Sequence, residues 1–133
     1  MSENILDILP VNFRHEKLFL KNNGFNSWKR LKFLTENDIK KILSKHTLCT
    51  ESRLKKIRAI AVFVDELDLK PDQAYLLLHS GISSVKALAT QNPYDLGQKI
   101  GRLERSLNIK IKPNLNQLLL KEWIKKAEKL IRI

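Results

Sequence analysis

Residues 18–31, LFLKNNGFNSWKRL, decide the fold because they recur in diverged form as residues 75–88, YLLLHSGISSVKAL. At an offset of 57 residues Leu20 falls on Leu77 and Gly24 on Gly81. Ser27/Ser84, Lys29/Lys86, Leu31/Leu88 and Asp38/Asp95 are further identities, and the alignment has no gap from Leu18 to Leu43. A repeat of this length indicates two copies of one supersecondary unit. We therefore predict repeats at residues 1–69 and 70–133.

Each copy has the start and stop signals of short helices. The first helix is predicted at 13–22 and its counterpart at 71–79, each followed within two residues by a glycine. Glycine past a helix end adopts the left-handed conformation without a Cβ clash. A second helix is predicted near Ser27 or Ser83, since serine is a good N-cap. A third begins at Thr35 or Asn92, each with an aspartate three residues on, which resembles a capping box.

A longer helix closes each copy. Thr50 is the predicted cap of a helix over 51–67, and Asn114 that of a helix over 115–131; both helices carry apolar residues at helical spacing. Residues 108–112 are too short a run for a strand and are predicted to form a loop. The fold class is therefore all-α, with the two helical units packed as one compact domain.

The pattern resembles helix-hairpin-helix domains, and most closely the tandem family known as domain of unknown function 4332, including its small cyanobacterial members. The resemblance covers nearly the whole chain and is carried by residues 75–84, 88–89 and 123–127. Residues 34–39 and 53–57 also resemble a sterile alpha motif. The resemblance implies a fold and, by analogy, sequence-independent contact with a nucleic-acid backbone; it implies no established activity.

Charge is the strongest compositional signal. Lys and Arg number 25 against 14 Asp and Glu, which gives a formal net charge of +11. Such an excess favours a polyanionic partner, although a basic surface without a ligand is the alternative. The predicted nucleic-acid contacts are Lys29, Arg30, Lys32, Arg53, Lys55, Lys56, Arg58, Lys86, Arg102 and Arg105, with Lys40, Lys41, Lys45, Lys110 and Lys112 nearby. Helical spacing predicts that Lys55 and Arg58 are free to bind.

The two hairpin turns are the predicted phosphate-facing elements. They consist of Gly24, Phe25 and Asn26 in the first copy and Gly81, Ile82 and Ser83 in the second. Nucleic-acid-binding hairpins usually contain two glycines, so that bare backbone N–H groups approach a phosphate. Each hairpin here has one, which puts close phosphate approach in doubt.

The sequence has no recognisable catalytic or metal motif. His15-Glu16 begins a zinc-protease pattern, but Phe19 stands where the second histidine belongs. We predict a non-enzymatic protein without cofactor or small-molecule substrate. Cys49 is the lone cysteine, which fits a reducing, cytoplasmic location. An acidic N-terminus does not resemble a signal peptide, and no apolar run is long enough for a membrane span.

Two functions remain open. The first is sequence-independent binding of DNA or RNA, and the second is an adaptor that binds an acidic protein. Adhesion to an anionic membrane is weaker, because no helix combines a large exposed apolar face with a basic flank. The tryptophans are predicted to lie in the core, and no exposed aromatic ring that could stack on bases stands out.

Overall fold

A computed structural model describes residues 13–107 and 117–131 of the chain, which form eight helices. In chain order these are α1 Arg14–Asn22, α2 Trp28–Lys32, α3 Glu36–Lys45, α4 Glu51–Leu67, α5 Pro71–His79, α6 Val85–Ala89, α7 Pro93–Leu107 and α8 Gln117–Ile131. No strand occurs within these ranges, so the all-α prediction is confirmed. The predicted cap Asn114, the start of its helix and the loop at 108–112 lie outside the described residues.

The helix bounds follow the period of the sequence. Helices α1, α2 and α3 begin at residues 14, 28 and 36, and α5, α6 and α7 begin 57 residues later, at 71, 85 and 93. Helix α2 packs on α4 as α6 packs on α8, and α3 and α7 also contact α4 and α8 respectively. The division into repeats at 1–69 and 70–133 stays a prediction.

Both glycine turns have the left-handed backbone that the sequence predicts. The φ angle is +82° at Gly24 and +96° at Gly81. Across each turn the next residue's N–H donates back to the preceding helix, from Phe25 to the Leu20 carbonyl at 2.9 Å and from Ile82 to the Leu77 carbonyl at 3.0 Å. A side chain at such a φ is strained, so these positions require glycine.

The helix caps are local and mostly as predicted. Thr35 and Asp38 form a capping box, in which the N–H of each residue donates to the side chain of the other at 3.0–3.1 Å. Thr50 Oγ1 caps α4 by accepting the Arg53 N–H. The cap of α6 is Ser84 and not Ser83; it accepts the Ala87 N–H at 3.0 Å, as Ser27 does from Arg30 in the first half.

The core runs through both halves. Equivalent positions are buried together, namely Leu20 and Leu77, Leu31 and Leu88, and Ile39 and Leu96. Trp123 is 3% exposed, and Trp28 is partly buried against the same cluster, so both tryptophans belong to the core as predicted. Each fully buried leucine contributes roughly 1.5–3 kcal/mol relative to an exposed one.

Helices α4 and α5 pack together and join the halves. The Phe13 ring, just before α1, meets Tyr75 of α5 edge-on at 6.3 Å between centroids. Lys126 of α8 donates to the Leu67 carbonyl at the end of α4 at 3.4 Å. None of the described helices is both long and apolar enough to cross a bilayer.

Candidate functional site

Two of the basic residues of α4, Lys55 and Arg58, are paired with acids. Lys55 Nζ lies 2.8 Å from Glu51 Oε1 and 4.0 Å from Glu36 Oε2. Arg58 Nη1 lies 3.3 Å from Glu36 Oε1 and donates to the Leu34 carbonyl at 3.0 Å. Hydrogen bonding to Glu51 is the first cause of a raised pKa at Lys55. The expectation that Lys55 and Arg58 are free for a ligand is therefore wrong.

The acidic end of α4 has its own cation. Lys32 Nζ, from α2, lies 2.7 Å from Asp65 Oδ2 and 3.7 Å from Glu66 Oε1, and 4.8 Å from the centroid of the Phe33 ring. The hydrogen bond to Asp65 is the first cause of a raised pKa at Lys32. Lys32 thus holds α2 against α4, and a phosphate would have to displace Asp65.

The basic cluster predicted over α2 and α3 does not converge. Lys32 contacts Asp65 near the end of α4. At the start of α4 the pKa of Glu51 is lowered first by its hydrogen bond with Lys55 and last by the charge of Lys40. With a rise of 1.5 Å per residue these two points on α4 are about 21 Å apart. Lys29 is exposed, and Arg30 Nη1 reaches back to the Gly24 carbonyl at 3.1 Å, so Arg30 braces the first turn.

The remaining predicted contacts lie on several elements. Arg53 is half-buried on α4, and Lys56 is exposed near His79 of α5, whose pKa is lowered by burial first and by Lys56 second. Lys86 is exposed on α6 and Arg102 on α7. Arg105 belongs to α7, but its side chain, like Lys110 and Lys112, lies outside the described residues.

Three of the six hairpin-turn residues donate their backbone N–H within the protein. The Gly81 N–H donates to the Leu78 carbonyl at 3.1 Å, and those of Phe25 and Ile82 close the turns described above. Phe25 is partly buried against the core and Ile82 is 2% exposed, whereas Asn26 and Ser83 are exposed. These three amides are therefore engaged in ending α1 and α5 and do not point to a phosphate.

An open concavity of about 560 Å³ lies where α6 meets α7. Its lining includes Tyr94, Gln98, Lys99 and Arg102, together with one acid, Asp95. The Tyr94 side chain is 64% exposed, and both cations are exposed. The α6–α7 surface, defined as Tyr94, Lys99 and Arg102, thus places an aromatic ring in one concavity with two basic side chains.

Sequence reasoning missed Tyr94 and Lys99. A signal was present, because Tyr94 lies off the apolar positions Leu96 and Ile100 that α7 buries. The first half has a partial counterpart, since Phe33, between α2 and α3, is 63% exposed. Phe33 has Lys32 beside its ring, but that lysine is already paired with Asp65.

A second cleft, of about 490 Å³, lies between α1 and residues 45–49. Its lining residues are His15, Leu18, Phe19, Asn22, Asn23, Lys45, His46, Thr47, Leu48 and Cys49. The rings of Phe19 and His46 meet at 4.3 Å between centroids. The Leu18 and Leu48 side chains are 63% and 62% exposed. No residue of this cleft except Lys45 was singled out from the sequence as a candidate for binding.

Glu16 connects α1 to α4 near this cleft. The residue is 0% exposed, and its Oε2 accepts the Thr50 N–H at 2.9 Å, whereas Oε1 has no hydrogen-bond partner. Its neighbour Cys49 is 6% exposed, and burial first and the charge of Glu16 second raise the pKa of the thiol. A buried thiol with a raised pKa is a poor nucleophile.

Among the residues that the structure describes, no three His, Cys, Asp or Glu side chains cluster so as to hold a metal ion. The described part of the chain is all-helical, the protein is strongly basic, and the two concavities described above each include exposed cations in their lining. A family model described as "Domain of unknown function (DUF4332)" matches residues 10–130. The chain belongs to that family, as its sequence resemblance indicated. No curated protein and no solved structure gives a significant match to the chain.

Proposed function

We propose that the protein is a non-catalytic nucleic-acid-binding protein that contacts DNA or RNA without sequence preference through the α6–α7 surface. The observation that carries this proposal is the exposed ring of Tyr94 in one concavity with Lys99 and Arg102. No cofactor is needed for such binding. The site differs from the hairpin contacts expected of helix-hairpin-helix proteins, because the amides of Phe25, Gly81 and Ile82 are already engaged.

The chemistry of the surface suits a single strand. An exposed aromatic ring stacks on any base, which contributes roughly 1–3 kcal/mol per base without reading its identity. Lys99 and Arg102 supply the charges that phosphates require, and Lys86 lies on the neighbouring helix. The amide of Gln98 and the hydroxyl of Tyr94 add neutral hydrogen-bonding groups. Base stacking and phosphate contact together support affinity that depends on salt and hardly on sequence.

The overall charge supports the same proposal. A net charge of +11 attracts polyanions and raises their rate of association. The lone cysteine, Cys49, favours the reducing cytoplasm, where nucleic acid is also present.

The test is fluorescence anisotropy with labelled single-stranded DNA, duplex DNA and single-stranded RNA at about 50 and 200 mM salt, where phosphate contacts lose strength steeply. Tyr94→Ala should weaken single-strand binding about tenfold and duplex binding less, because a duplex already stacks its own bases. The double variant Lys99→Glu/Arg102→Glu should weaken both and reduce the slope of log K against log salt by about 2.

The matched control is Lys21→Glu/Lys45→Glu, which changes the net charge equally on the opposite half of the sequence, at two other exposed lysines. We expect it to weaken binding far less than the Lys99/Arg102 pair. Absence of binding to all three nucleic acids at about 50 mM salt contradicts the proposal, since non-specific affinity is strongest at low salt. Equal losses for the two charge-reversed pairs contradict the assignment to the α6–α7 surface.

An adaptor that binds an acidic protein is the second candidate function. The observation that favours it is the cleft beside α1, where exposed leucines accompany the lysines. Leucine side chains gain nothing from a phosphate backbone, whereas they suit the apolar residues of a protein.

A further inference from the structure

The cleft between α1 and residues 45–49 exposes apolar side chains that the described part of the chain does not cover. Leu18 and Leu48 are 63% and 62% exposed, and Phe19 of α1, which also lines the cleft, is partly buried against the core. A cleft of about 490 Å³ is within the range that admits a small group of side chains. Exposed apolar side chains grouped around one cleft are typical of binding surfaces.

The same cleft is surrounded by cations. Lys45 lines it, and Lys41 precedes Lys45 by one turn of α3. On α1, Arg14 and Lys21 lie four residues before and three after Leu18, which places them beside Leu18 on the helix surface. All four basic side chains are exposed.

Asp38 of α3 lies within electrostatic reach of Lys41, and the segments that form the cleft add no exposed acid to it. Within residues 14–23 and 40–50 the one acidic residue is Glu16, which is fully buried and holds the Thr50 N–H. Glu51, which follows, is paired with Lys55 at 2.8 Å. The cleft therefore combines a positively charged rim with two exposed leucine side chains.

We infer that this cleft docks an acidic segment of a protein partner that inserts one or two large apolar side chains between Leu18 and Leu48. The carboxylates of the segment would meet Lys21 and Lys45, and charge complementarity would orient it. A second copy of the chain fits poorly, because two molecules of net charge +11 repel each other. This inference deepens the second candidate function and shares no residue with the α6–α7 surface, so either proposal can fail alone.

The experiment begins with a displayed library of short random peptides. The library is selected on the full-length protein and counter-selected on Leu18→Ser/Leu48→Ser, two exposed positions where substitution leaves the core intact. We expect the enriched peptides to combine several Asp or Glu with Leu, Ile or Phe. Absence of enrichment, or enrichment of peptides without acids or without large apolar residues, overturns the inference.

A labelled synthetic copy of an enriched peptide is then titrated by anisotropy. Leu18→Ser/Leu48→Ser and Lys21→Glu/Lys45→Glu should each weaken its binding about tenfold or more, which corresponds to about 1.4 kcal/mol. The control is Lys99→Glu/Arg102→Glu, which has the same net charge as the lysine-reversed variant and should bind nearly as the native protein does. Equal weakening by both charge-reversed variants means a general attraction of charge and overturns the inference.

Two other occupants of the cleft are distinguished in the same way. In the first test, the peptide is bound to the Lys99→Glu/Arg102→Glu variant and single-stranded DNA is added. If the DNA displaces the peptide, nucleic acid binds in the cleft, and the inference is overturned. If light scattering shows that the native protein is a dimer and that Leu18→Ser/Leu48→Ser is a monomer, a second copy of the chain occupies the cleft. That result would also overturn the inference. Circular dichroism of each variant should show native helix content.

Discussion

Replacing Glu16 by alanine tests the contact that joins α1 to the start of α4. Glu16 Oε2 accepts the Thr50 N–H at 2.9 Å from a fully buried position. A hydrogen bond to a charged acceptor contributes roughly 1.5–3 kcal/mol, and its loss also leaves the Thr50 amide without a partner. The lost buried Cγ methylene adds about 0.8 kcal/mol, while release of the unpartnered Oε1 from burial offsets part of the cost. We expect a net loss of about 3 kcal/mol in the free energy of unfolding.

Urea unfolding followed by far-ultraviolet circular dichroism measures this loss, and amide exchange at Thr50 should accelerate in the variant. Glu16→Gln keeps an acceptor for the Thr50 N–H, so it should cost less than half as much as alanine. The matched control is Glu122→Ala, because Glu122 is exposed on α8, and surface substitutions stay within about 0.5 kcal/mol. A loss of less than about 0.5 kcal/mol for Glu16→Ala, or equal losses for glutamine and alanine, would refute the role of this hydrogen bond.

Three further outcomes are expected. Gly81→Ala should destabilise the protein by about 1–2 kcal/mol in guanidinium unfolding, because φ at Gly81 is +96°, a backbone conformation that is strained for alanine. The loss comes from the backbone alone, since a Cβ at Gly81 would meet no atom within 4 Å. An unchanged unfolding midpoint would contradict this. Since burial and Lys56 lower the pKa of His79, the unfolded chain binds the proton more readily. Stability should therefore fall as pH drops below about 6.5, and His79→Phe should flatten that decline in acid-range melting curves. A thiol reagent should label buried Cys49 slowly in native protein and rapidly in urea, since its pKa is raised; equal rates would show that the thiol is accessible.

The elements that sequence analysis could predict are those whose causes are local. The left-handed turns at Gly24 and Gly81, the capping box of Thr35 and Asp38, and the capped start of α4 at Thr50 each depend on residues within one or two turns of each other. Because the sequence repeats after 57 residues, a helix start predicted in the first half predicts the matching helix start in the second half. Ser84 was confused with Ser83 because two neighbouring serines offer the same hydroxyl, although the alignment with Ser27 favours Ser84.

The candidate sites could not be predicted in the same way, because exposure and pairing depend on the tertiary fold. Tyr94 and Phe33 are exposed since they lie where the short helices α2 and α6 lead into α3 and α7, off the buried positions. Leu18 is exposed although its neighbours Phe19 and Leu20 face inward. The spacing of apolar residues along a helix indicates which face of the helix is buried on average. It does not identify a single leucine that remains exposed at the rim of a cleft.

Helix α4 shows why the order of charges along a helix is a poor guide to a binding site. Cations near its start and acids near its end oppose the helix dipole, at roughly 0.3–1 kcal/mol per charge, and an anion bound at its start is one explanation of that order. The structure provides another cause, since Glu36 of α3 meets Lys55 and Arg58, and Lys32 of α2 meets Asp65. The charges on α4 therefore match those of the helices packed against it. A cation is available to a ligand only where packing brings no acid to it, which is why the proposed sites depend on Lys21, Lys45, Lys99 and Arg102 and not on Lys55 or Arg58.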